Sequence, residues 1–175
     1  GTVADIGHRR KCHDAINVVL EQLRRWNAGT TYQSDGSLLF TTREDLEVKL
    51  AAMWEEFYDQ SAHDVPIVGS LEGLRDLATM ANNRVVYVTG RPITHRAMAE
   101  EWLSRYHFPD GLIWMRSASD SRPSHFVKRD LVLHLQGQKI LCIDDDTHVL
   151  DMYQELGFAV IRAPHYWEAR SMVSG

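Results

Sequence analysis

The sequence predicts an α/β fold in which a parallel sheet is layered with helices. Three observations carry that expectation. Four short apolar runs suited to strands, residues 84–88, 112–115, 139–143 and 158–162, lie well apart along the chain. Helical periodicity fills the gaps between them, and strands that alternate with helices pair in parallel. Polar residues gather directly behind the apolar runs, most densely in "ILCIDDDTHVL" (residues 140–150). Open α/β sheets place their ligands at that end of their strands.

In chain order, Ala15, Val18, Val19, Leu23 and Trp26 share one face of a first helix. Leu46, Leu50, Met53, Trp54 and Phe57 share a face of a second. The stretch between them, "NAGTTYQSDGSLLFTT", is rich in Gly, Ser and Thr, and Asp35-Gly36 marks a turn. It reads as a short hairpin or a loop. Leu71, Leu74 and Leu77 continue the helical pattern ahead of the first strand run, and further helices are expected over 94–106, 124–135 and 147–156. The organisation that results is a core of residues 1–14 and 66–175 with a helical insertion over 15–65.

A chain of 175 residues, 44% hydrophobic and 25% charged, is expected to fold around one substantial core. A net charge of −5 argues against a protein built to coat nucleic acid, although His8, Arg9, Arg10 and Lys11 form a local basic run. Two cysteines, Cys12 and Cys142, make no disulfide framework. A thiol in an apolar run suits a cytoplasmic protein. No apolar run reaches the roughly 18–20 residues of a membrane span, so no membrane partner is expected.

Four stretches bear chemistry. Asp144, Asp145 and Asp146 repel one another unless a cation or hydrogen-bond donors hold them. They read as a divalent-metal or phosphate site, or as a solvated loop in which Asp146 or Thr147 caps the next helix. In "VVYVTGRP" the Thr89 hydroxyl and the backbone N–H groups around Gly90 suit a phosphate; the plain alternative is a strand followed by a turn. In "SDSRPSHFVKRDLVLHL", Ser124 suits a helix cap, and Phe126, Val127 and Leu131 suit the inward face. Lys128 lies early in that helix, where a cation opposes the macrodipole. It either meets an anion at the sheet end or snorkels to water. The opening "GTVADIGHRR" is uninformative by itself; His8 reads most simply as a surface histidine.

Taken in order, a strand ending in Thr-Gly-Arg, a helix bearing Lys and a strand ending in paired acids closely resemble motifs II, III and IV of the haloacid dehalogenase (HAD) phosphohydrolase superfamily. Within it, "VVYVTGRP", "LIWMRSASDSRPSHFVKRDLVL" and "KILCIDDDTHVLDMYQELGFAVIRA" resemble the 3′-phosphatase domain of phage-type polynucleotide kinase/phosphatase. The resemblance covers about residues 66–163.

This resemblance implies a HAD-like (Rossmannoid) three-layer α/β/α parallel sheet with a helical C1-type cap insertion. It implies a Mg²⁺-dependent phosphomonoester hydrolase that works through an aspartyl-phosphate, with a phosphorylated nucleotide or nucleic-acid end as substrate. Asp144 and Asp145 would face the metal. Thr89 and Lys128 would hold the transferring phosphate, with Gly90 and Arg122 contacting substrate. Arg91 would contact substrate phosphate or form a structural ion pair. His8, Arg9 and Arg10 are further candidates for holding a nucleotide or nucleic-acid strand. The superfamily's first motif, a strand ending in Asp-x-Asp-Gly-Thr, overlaps this chain only at Gly1-Thr2. Residues 1–175 are therefore expected to lack the nucleophile and the central first strand, and to be inactive and poorly stable alone. A HAD phosphatase of a small metabolite or free nucleotide shares these site residues, and a non-catalytic phosphate-binding relative would keep the pocket alone. A receiver domain carries its acid pair on the first strand and its Lys last, the reverse of the order found here.

Overall fold

The computed structural model describes residues 4–5, 9–28, 42–67, 69–80 and 83–164. It divides into two compact units, residues 7–63 and residues 1–6 with 64–175. The stretch 29–41 and His8 lie outside the described residues.

The first unit contains α1 (Arg10–Asn27) and α2 (Arg43–Asp59), then a 3₁₀ turn over Gln60–His63. A capping box starts α2. The Thr42 hydroxyl accepts from the Asp45 N–H at 3.1 Å, and the Asp45 carboxylate accepts from the Thr42 N–H at 3.2 Å. Leu46 and Phe57 are buried on the face expected from the sequence. The face of α1 differs from expectation: Ile16 and Val19 are buried, whereas Ala15 is exposed and Val18 is 59% exposed. The buried arc is centred on Ile16, and Val18 lies 200° around the helix from it. Arg9 corrects a second expectation. It is buried: its Nη1 donates to the Phe57 carbonyl at 2.7 Å and its guanidinium lies 4.1 Å from the Phe57 ring centroid. That makes it a cation–π anchor rather than part of a basic surface.

The second unit holds a short antiparallel pair that the sequence did not announce, β1 (Ala4–Asp5) with β2 (Val65–Pro66). An alternating series follows: α3 (Ser70–Thr79), β3 (Val85–Pro92), α4 (Arg96–Arg105), β4 (Gly111–Arg116), α5 (Ser124–Val132), β5 (Leu141–Asp144), α6 (Thr147–Glu155) and β6 (Ala159–Arg162). β3 pairs in parallel with β4, and β5 in parallel with β6. Among the described residues β3 and β5 each have one strand neighbour. Parallel pairing across helical connections is the α/β arrangement read from the sequence.

Period-two alternation in β3 sends successive side chains to opposite faces. Tyr87 packs with Trp102 and Phe108 beside Leu71 and Leu74 of α3. Val88 packs against the other cluster, built on Val132, Val149, Met152, Tyr153, Leu156 and Phe158. Helical residues thus cover both faces of β3, giving three layers. Trp114 of β4, Cys142 of β5 and Val160 of β6 join the cluster of Val88, so both parallel pairs rest on the layer formed by α5 and α6. Burial, aided by the charge of Asp144, pushes the Cys142 thiol up to about 11.

Two local details correct the sequence reading. Pro123, not Ser124, occupies the N-cap of α5, with no side-chain cap bond. Phe126, expected inside, is 47% exposed, and Val127 and Val132 take the buried positions. Among the described residues no helix is long and apolar enough to cross a membrane.

The core assignment predicts a contrast. Phe158→Ala should lower unfolding stability by about 3–5 kcal/mol in denaturant titration. Leu112→Ala, at a position 63% exposed, should change it by less than about 0.5 kcal/mol.

Candidate functional site

The site assembles at the C-terminal ends of β3, β4 and β5. Thr89 sits near the end of β3, where the register against β4 shifts between Thr89 and Pro92. Its hydroxyl accepts from the Arg91 N–H at 3.2 Å, which tightens the turn. Gly90 is required there by close approach. A Cβ at that position would stand 2.7 Å from Ser124 Oγ and 3.3 Å from Arg116 Nη2. The first residue of α5 and the last of β4 therefore both press on the Thr-Gly-Arg turn.

One turn further along α5, Lys128 Nζ donates to Asp144 Oδ2 at 2.6 Å. Both side chains are largely buried, at 12% and 7% exposed. Asp144 closes β5, and its other oxygen, Oδ1, accepts from the Asp146 N–H at 3.2 Å. Asp145 is half-buried between them in sequence. Asp146 is the cap of α6, its Oδ1 accepting from the His148 N–H at 2.9 Å. The three adjacent acids thus have separable surroundings: Asp144 meets an ammonium and a backbone donor, and Asp146 turns to its helix. Helix α5 ties the two halves of the site together, touching Gly90 through Ser124 and Asp144 through Lys128.

The arginines fall differently. Arg91 Nη2 donates to Asp64 Oδ2 at 3.1 Å, and Asp64 is fully buried with its backbone carbonyl accepting from Trp102 Nε1 at 2.7 Å. Of the two uses open to Arg91, the structure displays the ion pair. Arg122 is forked between Asp120 and Asp130, at 2.7 and 2.8 Å. Its guanidinium holds the Asp120 carboxyl down at about 2. Arg122 is thus engaged by carboxylates beside the site.

Sequence reasoning passed over Arg116 and the side-chain placement of Ser124. Arg116 Nη1 donates to the Asp120 carbonyl at 3.1 Å, its Nη2 lies beside Gly90, and its Nε is buried with no hydrogen-bond partner among the described residues. A strand ending in "MR" reads as a solvated terminus. The available signal was that this terminus lies at the same sheet edge as Thr89. A buried arginine with an unsatisfied N–H is costly unless something accepts from it.

Comparison with known proteins follows this geometry. None of the curated proteins matches the chain. Two solved structures share the fold. In the "Structure of the Pnkp1/Rnl/Hen1 RNA repair complex" the identity is 24% and the TM-score 0.56, covering 62% of this chain and 36% of that one. In the "Structure of Pnkp1/Rnl/Hen1 complex" the corresponding values are 25%, 0.55, 62% and 39%. The chain thus spans well under half the length of either solved chain. The family model for the polynucleotide kinase PNKP phosphatase domain matches residues 56–165, a segment that runs from the end of α2 through β6 and includes each of the turns and acids described above. With its HAD-like α/β core and a match over well more than half its length, the chain belongs to the family of PNKP phosphatase domains of the HAD type.

Proposed function

We propose that this chain supplies the phosphate-holding and metal-facing residues of a Mg²⁺-dependent phosphomonoester hydrolase, acting through an aspartyl-phosphate on a nucleotide or polynucleotide 3′-phosphate. The observation that carries the reading is that α5 meets both halves of the site: Ser124 Oγ lies close against Gly90, and Lys128 donates to Asp144. It joins a hydroxyl-bearing turn, an ammonium and an acid pair. The substrate class is supported by the family and by the RNA repair complex named for one solved relative.

The donor set fits Mg²⁺, which takes one or two carboxylates and keeps several waters. Asp144 and Asp145 would hold it. When bound it supplies the positive charge that lets a carboxylate approach an anionic phosphate. Asp144 is oriented by two donors, one from Lys128 and one from the Asp146 backbone. Lys128 holds one proton of its ammonium on Asp144 and has two further N–H donors for phosphoryl oxygens. The Thr89 hydroxyl and the Gly90 N–H are the donors on the opposite wall. Arg116 Nε, buried and without a partner among the described residues, adds a cationic donor beside that turn.

The resemblance gives the nucleophile and the general acid to an Asp-x-Asp strand. For this strand β3 and β5, each with one neighbour among the described residues, offer edges. One aspartate attacks phosphorus as the ester P–O bond breaks. The other gives its proton to the leaving alkoxide and then takes one from the water that hydrolyses the acyl phosphate. The helical residues 15–65 would act as a cap that selects substrate.

Two assays of phosphate release test this. The protein expressed from its own complete reading frame should hydrolyse a 3′-phosphorylated oligonucleotide better than nucleoside monophosphates and lose activity in EDTA; the reverse preference would move the substrate to free nucleotides. Lys128→Ala and Asp144→Asn should each cut kcat by roughly 10²–10³-fold; retention of full rate by either would refute the site.

The Arg122 fork predicts a titration. Asp120 is held below its ordinary value of 3.8, at about 2. A carboxyl depressed by folding stabilises the folded state above its unfolded value, and that contribution is lost as pH falls toward 2. Carbon-detected NMR of Asp120 should show it ionised down to about pH 2. Arg122→Ala should move the midpoint back up toward 3.8.

A further inference from the structure

Helices α5 and α6 leave a groove between them with a cavity of about 310 Å³. Its lining is unlike an ordinary helix seam. Phe126, 47% exposed, lies with its ring 4.2 Å from that of His125, and the His125 ring is 6.1 Å from that of His148. Arg129 follows His125 by one helical turn. The buried side chain of Met152 contributes to the lining from α6. Three rings and a guanidinium gather at one groove.

The groove's place in the fold gives it a direction. His125 is the second residue of α5, one turn before Lys128, and His148 is the second residue of α6, two residues after the cap Asp146. Both imidazoles therefore lie at the helix ends that carry the phosphate and acid groups. Moving down the helices, the groove meets Asp151 and Glu155. Two carboxylates repel a phosphodiester backbone, so a nucleic-acid strand cannot run along the groove. They accept hydrogen bonds from exocyclic amino groups, as carboxylates do from cytosine.

From this combination we infer that the α5–α6 groove is a nucleobase subsite. It stacks the base of the 3′-terminal nucleotide on His125, Phe126 and His148, and favours bases with an exocyclic amine through Asp151 and Glu155. Aromatic faces bind bases because every base has a π-face, and an arginine adds cation–π attraction. The inference rests on the phosphatase reading for its substrate, yet it is measured without turnover.

The test is equilibrium binding in EDTA, using the protein expressed from its own complete reading frame. The probes are adenosine 3′-monophosphate, uridine 3′-monophosphate and ribose 3-phosphate, which lacks a base. The unaltered protein should bind adenosine 3′-monophosphate on the order of tenfold more tightly than ribose 3-phosphate. The double variant His125→Ala, Phe126→Ala should bring that ratio close to one. A merely structural role for these rings would weaken both ligands together and leave the ratio standing, which would overturn the inference. So would a ratio of one in the unaltered protein, or no binding of any probe. The surface variant Asp151→Asn, Glu155→Gln leaves the rings in place and should erase the preference for adenosine over uridine; persistence of that preference would remove the carboxylates from the subsite. Turnover of p-nitrophenyl phosphate with Mg²⁺ is scored separately. Its absence would defeat the hydrolase reading while the binding ratios still decide the base site.

Discussion

The contact between Lys128 and Asp144 governs the second unit. A buried ion pair is weak evidence of net stability, because desolvation offsets much of the attraction, but removing one partner strands a charge and is strongly destabilising. At 2.6 Å and with both side chains largely withdrawn from water, this pair leaves little freedom to either element. It fixes the rotation of α5 about its axis. That rotation points Val127 and Val132 into the core, lays Ser124 on Gly90 and turns Phe126 outward. The exposed phenylalanine is therefore a geometrical consequence of the ion pair: a nine-residue helix cannot present Lys128 to Asp144 and bury residue 126 as well.

Much of the α/β core was legible because its signals are local. Apolar runs bounded by polar residues located β3 to β6 within a few positions, and Asp146 was recognisable as a cap from its place behind an acid pair. The failures share a cause, which is that tertiary contacts chose among locally equivalent options. In α1 the sequence offers apolar residues on more than one arc, and packing selected the arc of Ile16 over that of Val18. In α5, Pro123 took the cap, and the Ser124 hydroxyl lies against a glycine distant in sequence. The two-residue strands β1 and β2 are too short for period-two alternation to register.

The candidate site divides in the same way. Thr89, Lys128, Asp144 and Asp145 came from ordered motifs: Thr89 and Asp144 lie on strands the sequence declares, Asp145 directly behind one, and Lys128 within a helix. The arginines did not. Arg9, Arg91, Arg116 and Arg122 are equivalent in composition, yet one lies over an aromatic ring, one against a buried carboxylate, one beside the glycine turn and one between two acids. A guanidinium's role is set by which acceptors come within reach, and reach is a property of the folded chain.

Among the described residues β3 and β5 each keep one side without a strand neighbour, as β4 and β6 do, and this bears on how the polypeptide behaves in company. A strand with a bare row of amide and carbonyl groups is a template, and any extended peptide of suitable register will add to it. Among the described residues these sides lie over one apolar helical layer. Extended peptides in solution would add to them, and colloidal behaviour becomes a readout of strand supply: concentrated protein should associate through main-chain pairing until those rows are taken up.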